Sequence, residues 1–162
     1  MRGVPGSGKT TKAREIKAEY EAVGWRVYIF STDDFWGEKY EFVPAKIREA
    51  HLWNQNRALQ AMIAEYAMNF DDLRAKTLII IDNTNTQGWE MRPYVEAAQR
   101  LGFTIEIVEP STEWAFDAEI CAQKTIHGVP VESIRGMLTR WQKGLTVSEI
   151  LVSYAPWEKP AA

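Results

Sequence analysis

The chain has one cysteine, Cys121, and two histidines, His51 and His127, in 162 residues. A lone thiol cannot close an internal disulfide, and its place inside a helical pattern reads as a small buried side chain. The histidines lack the spacing of a transition-metal site. No apolar run approaches the roughly 18 residues of a membrane span, so a cytoplasmic protein without a membrane partner is expected. A net charge of -3 excludes a strongly basic surface overall, while a local basic patch stays open. Hydrophobic residues at 46% and charged residues at 25% exclude a disordered chain and suit a soluble globular one. The length fits one compact domain, 1–162, with a loosely ordered tail from Pro156 to Ala162.

What is present begins almost at once. Gly3-Val4-Pro5-Gly6-Ser7-Gly8-Lys9-Thr10 satisfies G-x-x-x-x-G-K-[ST], the phosphate-binding loop, with only Met1 and Arg2 before it. Its glycines let successive backbone N–H groups point at nucleotide phosphates. Its lysine reaches the β and γ oxygens, its hydroxyl helps hold Mg²⁺, and the next helix aims its N-terminus at the same anion. Gly3, Pro5, Gly6, Ser7, Gly8, Lys9, Thr10 and Thr11 are therefore expected to hold ATP, with Thr10 also on Mg²⁺.

From Lys9 to Val23 the spacing predicts a helix with Ala13, Ile16, Tyr20 and Val23 on one side, stopped by Gly24. Arg26 to Phe30 reads as a strand and ends in Ser31-Thr32-Asp33-Asp34. A long helix follows from about Ala45 to Met68. Thr77 to Ile81 is an apolar run expected to be a strand buried on both faces, ending in Asp82-Asn83-Thr84-Asn85. A helix from Gln87 to Leu101, a third strand from Phe103 to Val108, and helices over Glu113 to Thr125 and Val131 to Lys143 complete the pattern. Alternating strands and helices predict an α/β fold with a mostly parallel sheet, whose ligands bind at the carboxyl ends of the strands. The buried strand that should lead into the loop is missing. The natural protein is therefore expected to begin upstream, with Met1 at the end of that strand; the alternative is that Ile150 to Tyr154 fills the slot.

Phosphoryl transfer needs a phosphate cradle, Mg²⁺, a base for the acceptor hydroxyl and cations on the migrating group. Asp33 and Asp34 follow the first strand, where one carboxylate can accept the acceptor's proton; a turn or helix cap is the competing reading. Asp82 closes the second strand as a magnesium-ordering carboxylate or as a turn residue. Lys124, Arg135 and Arg140 are candidate phosphate cations or solvated helix charges. Phe35, Trp36, Tyr40 and Phe42 cluster after the aspartates, with Trp53 and Arg57 soon after, and offer either nucleobase stacking or core packing.

With these residues in view, the chain resembles the P-loop kinase domain of polynucleotide 5′-hydroxyl kinases, and more closely the group of kinase-like domains typified by Nedd-four-binding protein two. The likeness runs from Gly3 to about Pro160. It rests on the loop, S-T-D-D-F at Ser31 to Phe35, H-x-W-N-Q-x-R-A from His51 to Ala58, I-I-I-D-N-T-N from Ile79 to Asn85, W-E-M-x-P-Y from Trp89 to Tyr94 and I-H-G-V from Ile126 to Val129. The resemblance implies a three-layer P-loop NTPase fold of kinase type. It implies ATP and Mg²⁺ on Lys9, Thr10 and Asp82, Asp33 as catalytic base, and Lys124 near the family's lid arginine. Asp34, Trp36, Arg57, Asn83 and Asn85 are the expected acceptor-binding residues. Asn83 stands where the viral enzymes of this kind carry aspartate. Trp36 stands where they carry a phosphate-binding arginine, whose fork an indole cannot replace, so Arg57 is the expected substitute.

The expectation is an ATP-dependent kinase acting on the 5′-hydroxyl of RNA or DNA. A phosphotransferase for a sugar, antibiotic or nucleotide sugar is the first alternative. A nucleotide-binding regulatory module with little transfer is the second.

Overall fold

The computed structural model describes residues 1–68 and 76–158. The chain divides into two compact units: Met1 with Lys9–Asn83, and Arg2–Gly8 with Thr84–Ala162.

The first unit is built on a parallel pair of strands, β1 (Arg26–Phe30) and β2 (Thr77–Ile81), in register from Arg26 beside Thr77 to Phe30 beside Ile81. Helix α1 (Lys9–Ala22) packs Ala13, Ile16 and Tyr20 onto Val27, Ile29, Leu78 and Ile80. Val23, expected on that face, is exposed, because the helix has already ended. Its end is set by Gly24 at φ 83°, where the amide of Trp25 turns back to the Tyr20 carbonyl at 3.0 Å. Trp25 then meets the Tyr20 ring edge-on at 4.9 Å. Helix α2 (Ile47–Met68) follows a short 3-10 turn at Pro44–Lys46 and is tied to both strands through Glu65. That buried carboxylate accepts from Arg26 at 2.7 Å, Tyr28 at 3.1 Å and Thr77 at 2.6 Å. Burial alone would raise its pKa, but these donors outweigh it and hold Glu65 below the usual carboxylate value. The Met1 ammonium donates to the Ile81 carbonyl at 2.9 Å.

The second unit holds α3 (Gly88–Arg100), α4 (Ala118–Lys124), α5 (Val131–Thr139) and α6 (Val147–Leu151). Val4 of the phosphate loop is buried in one core with Ala118, Cys121 and Ile134. Burial raises the Cys121 thiol pKa, with Asp117 adding to it, as suits an inert core residue. Met91, Val95 and Ile150 form another core, against which Ile105 and Ile107 pack. The expected third strand at Phe103 to Val108 is absent. The segment alternates inward and outward as a strand would, but a ladder needs a partner. Among the described residues its backbone bonds are one at each end, the Phe103 amide to the Ala98 carbonyl at 2.9 Å and the Arg2 amide to the Val108 carbonyl at 2.8 Å, which make no ladder. Ile150 to Tyr154 forms no strand either: Thr146 and Glu149 make a reciprocal capping box that opens α6 and puts Ile150 into the core. The helix expected from Glu113 starts only at Ala118, because Asp117 caps it by accepting from the Ile120 amide at 2.9 Å. The one expected to run to Lys143 ends at Thr139.

Of the expected loose tail, residues 159–162 lie outside the described ones; Trp157 meets the Trp89 ring edge-on at 5.1 Å. Among the described residues no helix is long and apolar enough to cross a membrane.

Candidate active site

The loop glycines sit where nothing larger fits. Gly6 and Gly8 have φ of 78° and 92°, in the left-handed region that favours glycine. A β-carbon on Gly6 would stand 2.0 Å from the Cys121 carbonyl oxygen, and one on Gly3 would stand 2.5 Å from Ser7 Oγ. Within the same unit, Thr112 donates to the Ser7 carbonyl at 2.8 Å and the Trp114 indole donates to the Gly6 carbonyl at 3.2 Å. Those two carbonyls are thus taken up by protein donors, as are the amides of Gly3, by the Thr84 carbonyl, and of Ser7, by the Val4 carbonyl. Ser7 Oγ is buried without a hydrogen-bond partner. A tight glycine cradle with an orphaned buried hydroxyl fits a nucleotide phosphate. Lys124 of this unit lies over the Trp114 ring at 4.3 Å.

The loop runs on covalently into Lys9 and Thr10 at the start of α1, in the first unit. Lys9 Nζ is 3.1 Å from Asp82 Oδ1, and Thr10 Oγ1 donates to Asp82 Oδ2 at 2.7 Å. Asp82 follows β2 directly, and its amide donates to the Phe30 carbonyl at 2.9 Å, so the pairing of β1 with β2 places the carboxylate. One acidic side chain thus gathers the lysine and the hydroxyl that open α1. Among the described residues no group of three or more His, Cys, Asp or Glu side chains could hold a metal. A Mg²⁺ carried on nucleotide phosphates takes most of its ligands from water and phosphate, so a hydroxyl and one carboxylate are compatible with such an ion.

Asp33 and Asp34 lie on a 3-10 turn, Thr32–Trp36, at the end of β1. Ser31 caps it by accepting from the Asp33 amide at 3.2 Å. Asn83, beyond the end of β2, accepts from the Thr32 amide at 3.0 Å and so joins the two strand ends. Asp33 is exposed and accepts from the Tyr40 hydroxyl at 3.0 Å. Arg57 donates to Asp34 at 3.1 Å, with its guanidinium 4.1 Å from the Trp53 ring centre and 5.2 Å from that of Phe30. Trp36 is buried, edge-on to Phe35 and Phe42.

Not every candidate joins these groups. Thr11 is exposed on α1. Asn85, in the second unit, is buried at φ 47°, and its carbonyl accepts from Arg2 at 2.9 Å. Arg135 is paired with Glu119 and Glu132, and Arg140 donates to Thr86 at 3.3 Å. Arg2 was missed altogether. Its buried guanidinium also donates to the Thr86 carbonyl at 3.1 Å, the Gln142 carbonyl at 2.6 Å and Glu109 at 2.9 Å, and lies over Trp141. It therefore anchors the chain just before the loop, and no local sequence signal distinguishes it from a solvated charge.

A glycine cradle leading into a buried lysine, and a hydroxyl sharing a strand-terminal aspartate with that lysine, define a P-loop nucleotide-binding domain of kinase-like type. The chain belongs to the AAA domain family, which matches residues 1–143. It is similar to human NEDD4-binding protein 2, 38% identical over 158 residues that cover 96% of this chain and 8% of that protein. It is also similar to rat 2′,3′-cyclic-nucleotide 3′-phosphodiesterase, 28% identical over 76% of this chain and 25% of that protein. Human YLP motif-containing protein 1 is 29% identical over 88% of this chain and 7% of its own length. The chain thus spans only a small part of these relatives. No solved structure matches it. These findings bear out the resemblance to P-loop kinase-like domains and the α/β P-loop fold.

Proposed function

We propose that the chain is an ATP-dependent kinase that transfers the γ-phosphoryl group to a hydroxyl, the 5′-hydroxyl of a polynucleotide. The observation that carries this reading is Asp82 holding Lys9 at 3.1 Å and Thr10 at 2.7 Å, at the end of a strand paired with the one that leads to Asp33. When bound, ATP supplies the phosphoryl group and Mg²⁺ neutralises its oxygens. Lys9 would hold the β and γ oxygens, while Thr10 and Asp82 would hold the metal. Asp33 takes the acceptor's hydroxyl proton as the new oxygen–phosphorus bond forms. The bond from the γ phosphorus to the bridging oxygen breaks, and ADP leaves. Lys124 is assigned to the migrating phosphoryl group on the resemblance alone. Asp34, Arg57, Trp36, Asn83 and Asn85 are proposed to serve the acceptor.

The relatives' names support nucleotide chemistry in one case, a cyclic-nucleotide phosphodiesterase, and a protein partner in another, a NEDD4-binding protein. Trp36 favours a second reading, a small hydroxyl acceptor. Its buried indole offers no guanidinium fork for a polynucleotide's phosphate. The test offers ATP labelled at the γ-phosphate with 5′-hydroxyl oligonucleotides and with a panel of sugars, antibiotics and nucleotide sugars, using Asp33→Asn as control. Labelled oligonucleotide that disappears in the variant supports the kinase reading. Label on a small metabolite alone moves the acceptor to that class. Tight ATP binding without transfer to any acceptor overturns both and leaves a nucleotide-binding module.

A further inference from the structure

Tyr40 lies at φ 47°, a left-handed conformation that a bulky side chain rarely adopts and that persists only where the surroundings impose it. The surroundings are specific. Gly37, at φ 68°, turns the chain back, the Tyr40 amide donates to the Gly37 carbonyl at 3.1 Å, and the Glu41 amide donates to the Trp36 carbonyl at 3.3 Å. Trp36 and Phe42 close the loop edge-on at 4.9 Å. The result brings the Tyr40 hydroxyl to 3.0 Å from Asp33 Oδ1.

We infer that Tyr40 is the positioning residue of the acceptor site: its hydroxyl pins Asp33 by Oδ1 and leaves Oδ2 turned out to receive the acceptor's proton. This rests on the kinase reading above. A carboxylate exposed on a 3-10 turn otherwise rotates freely, and a base misplaced by an ångström loses much of its effect. Burial, and then the Asp33 charge, push the Tyr40 pKa well above that of a free phenol, so the hydroxyl remains a donor throughout the neutral range. Of the other ionisable groups about the turn, Asp34 and His51 have partners, while Glu38, Lys39 and Glu41 are exposed. Asp34 is paired with Arg57 of α2, and His51 Nδ1 of the same helix is 3.4 Å from Thr32 Oγ1. Arg48 and Glu49 of α2 line an open depression with Phe35 and Trp53. Trp36 contributes through the same loop, since the indole that stands in place of the expected arginine packs on Phe42 and holds the turn that delivers Tyr40.

The test is Tyr40→Phe, which keeps the ring and the backbone and removes only the hydroxyl; an unchanged melting temperature verifies the fold. At neutral pH kcat falls about tenfold while the acceptor KM stays within about twofold. A kcat that does not fall, or one that falls only together with a rise in the acceptor KM, overturns the inference while transfer by the wild type keeps the kinase reading. A wild type that transfers no phosphate overturns the kinase reading, and the catalytic role of Tyr40 with it.

Discussion

The Lys9 ammonium lies 3.1 Å from Asp82 Oδ1, and both side chains are nearly buried, at 10% and 3% exposure. Each compensates the other, since a buried charge without its partner carries a desolvation penalty of several kcal/mol. Bound phosphate would share the lysine.

Lys9→Ala is expected to weaken ATP binding at least tenfold, read by calorimetry, and to abolish transfer. It also leaves Asp82 buried without its cation, so unfolding in urea should occur about 3 kcal/mol more easily. Wild-type ATP affinity in this variant would remove Lys9 from the nucleotide site.

Gly6→Ala and Gly24→Ala both force a side chain into the left-handed region, at φ 78° and 83°. A β-carbon at Gly24 meets nothing within 4 Å, whereas at Gly6 it meets a backbone oxygen at 2.0 Å. Gly24→Ala should therefore cost about 1 kcal/mol, the intrinsic conformational penalty, with ATP binding intact. Gly6→Ala should cost more than about 2 kcal/mol and lose ATP binding. Equal costs for the two in urea unfolding would contradict the described packing of Gly6 on α4.

Arg2→Met should destabilise the chain by about 3–5 kcal/mol, because it strands the carbonyls of Asn85, Thr86 and Gln142 and removes the partner of Glu109. Chemical denaturation measures this directly. A loss under about 1 kcal/mol would mean that the guanidinium is solvated.

Glu65 makes stability depend on acid. Its folded pKa lies below the unfolded value, so the folded state binds the proton less tightly. The stabilisation is complete above the unfolded carboxylate value and is lost as pH falls through the folded one. Glu65→Gln removes this dependence: its stability should fall less than the wild type's between about pH 5 and pH 3. Parallel acid curves for the two proteins would assign acid sensitivity elsewhere.

Much of the framework was readable because it is local. Both strands match the expected ranges end to end, since each is a short β-branched or aromatic run bounded by turn residues. Gly24 marks the end of α1 because only a residue tolerant of positive φ closes a helix that way. Phe103 to Val108 marks the limit of such local signals. Alternation identifies a half-buried segment, but a strand exists only where a second backbone supplies the ladder, and among the described residues only single bonds from Ala98 and Arg2 reach its two ends.

The site divides along the same line. The loop was legible because its glycines, lysine and threonine are set by the shape and charge of phosphate, a chemical demand written in consecutive residues. The pinning of Asp33 by Tyr40, the pairing of Arg57 with Asp34 and the anchoring of Arg2 on three carbonyls were not. Each depends on where a long side chain ends once distant backbone has turned toward it, through a left-handed residue or a shared strand end. Local propensity and motif chemistry therefore set the elements and the phosphate loop, whereas the direction of each charge was decided by the tertiary structure, which alone determines which partner lies within hydrogen-bond reach.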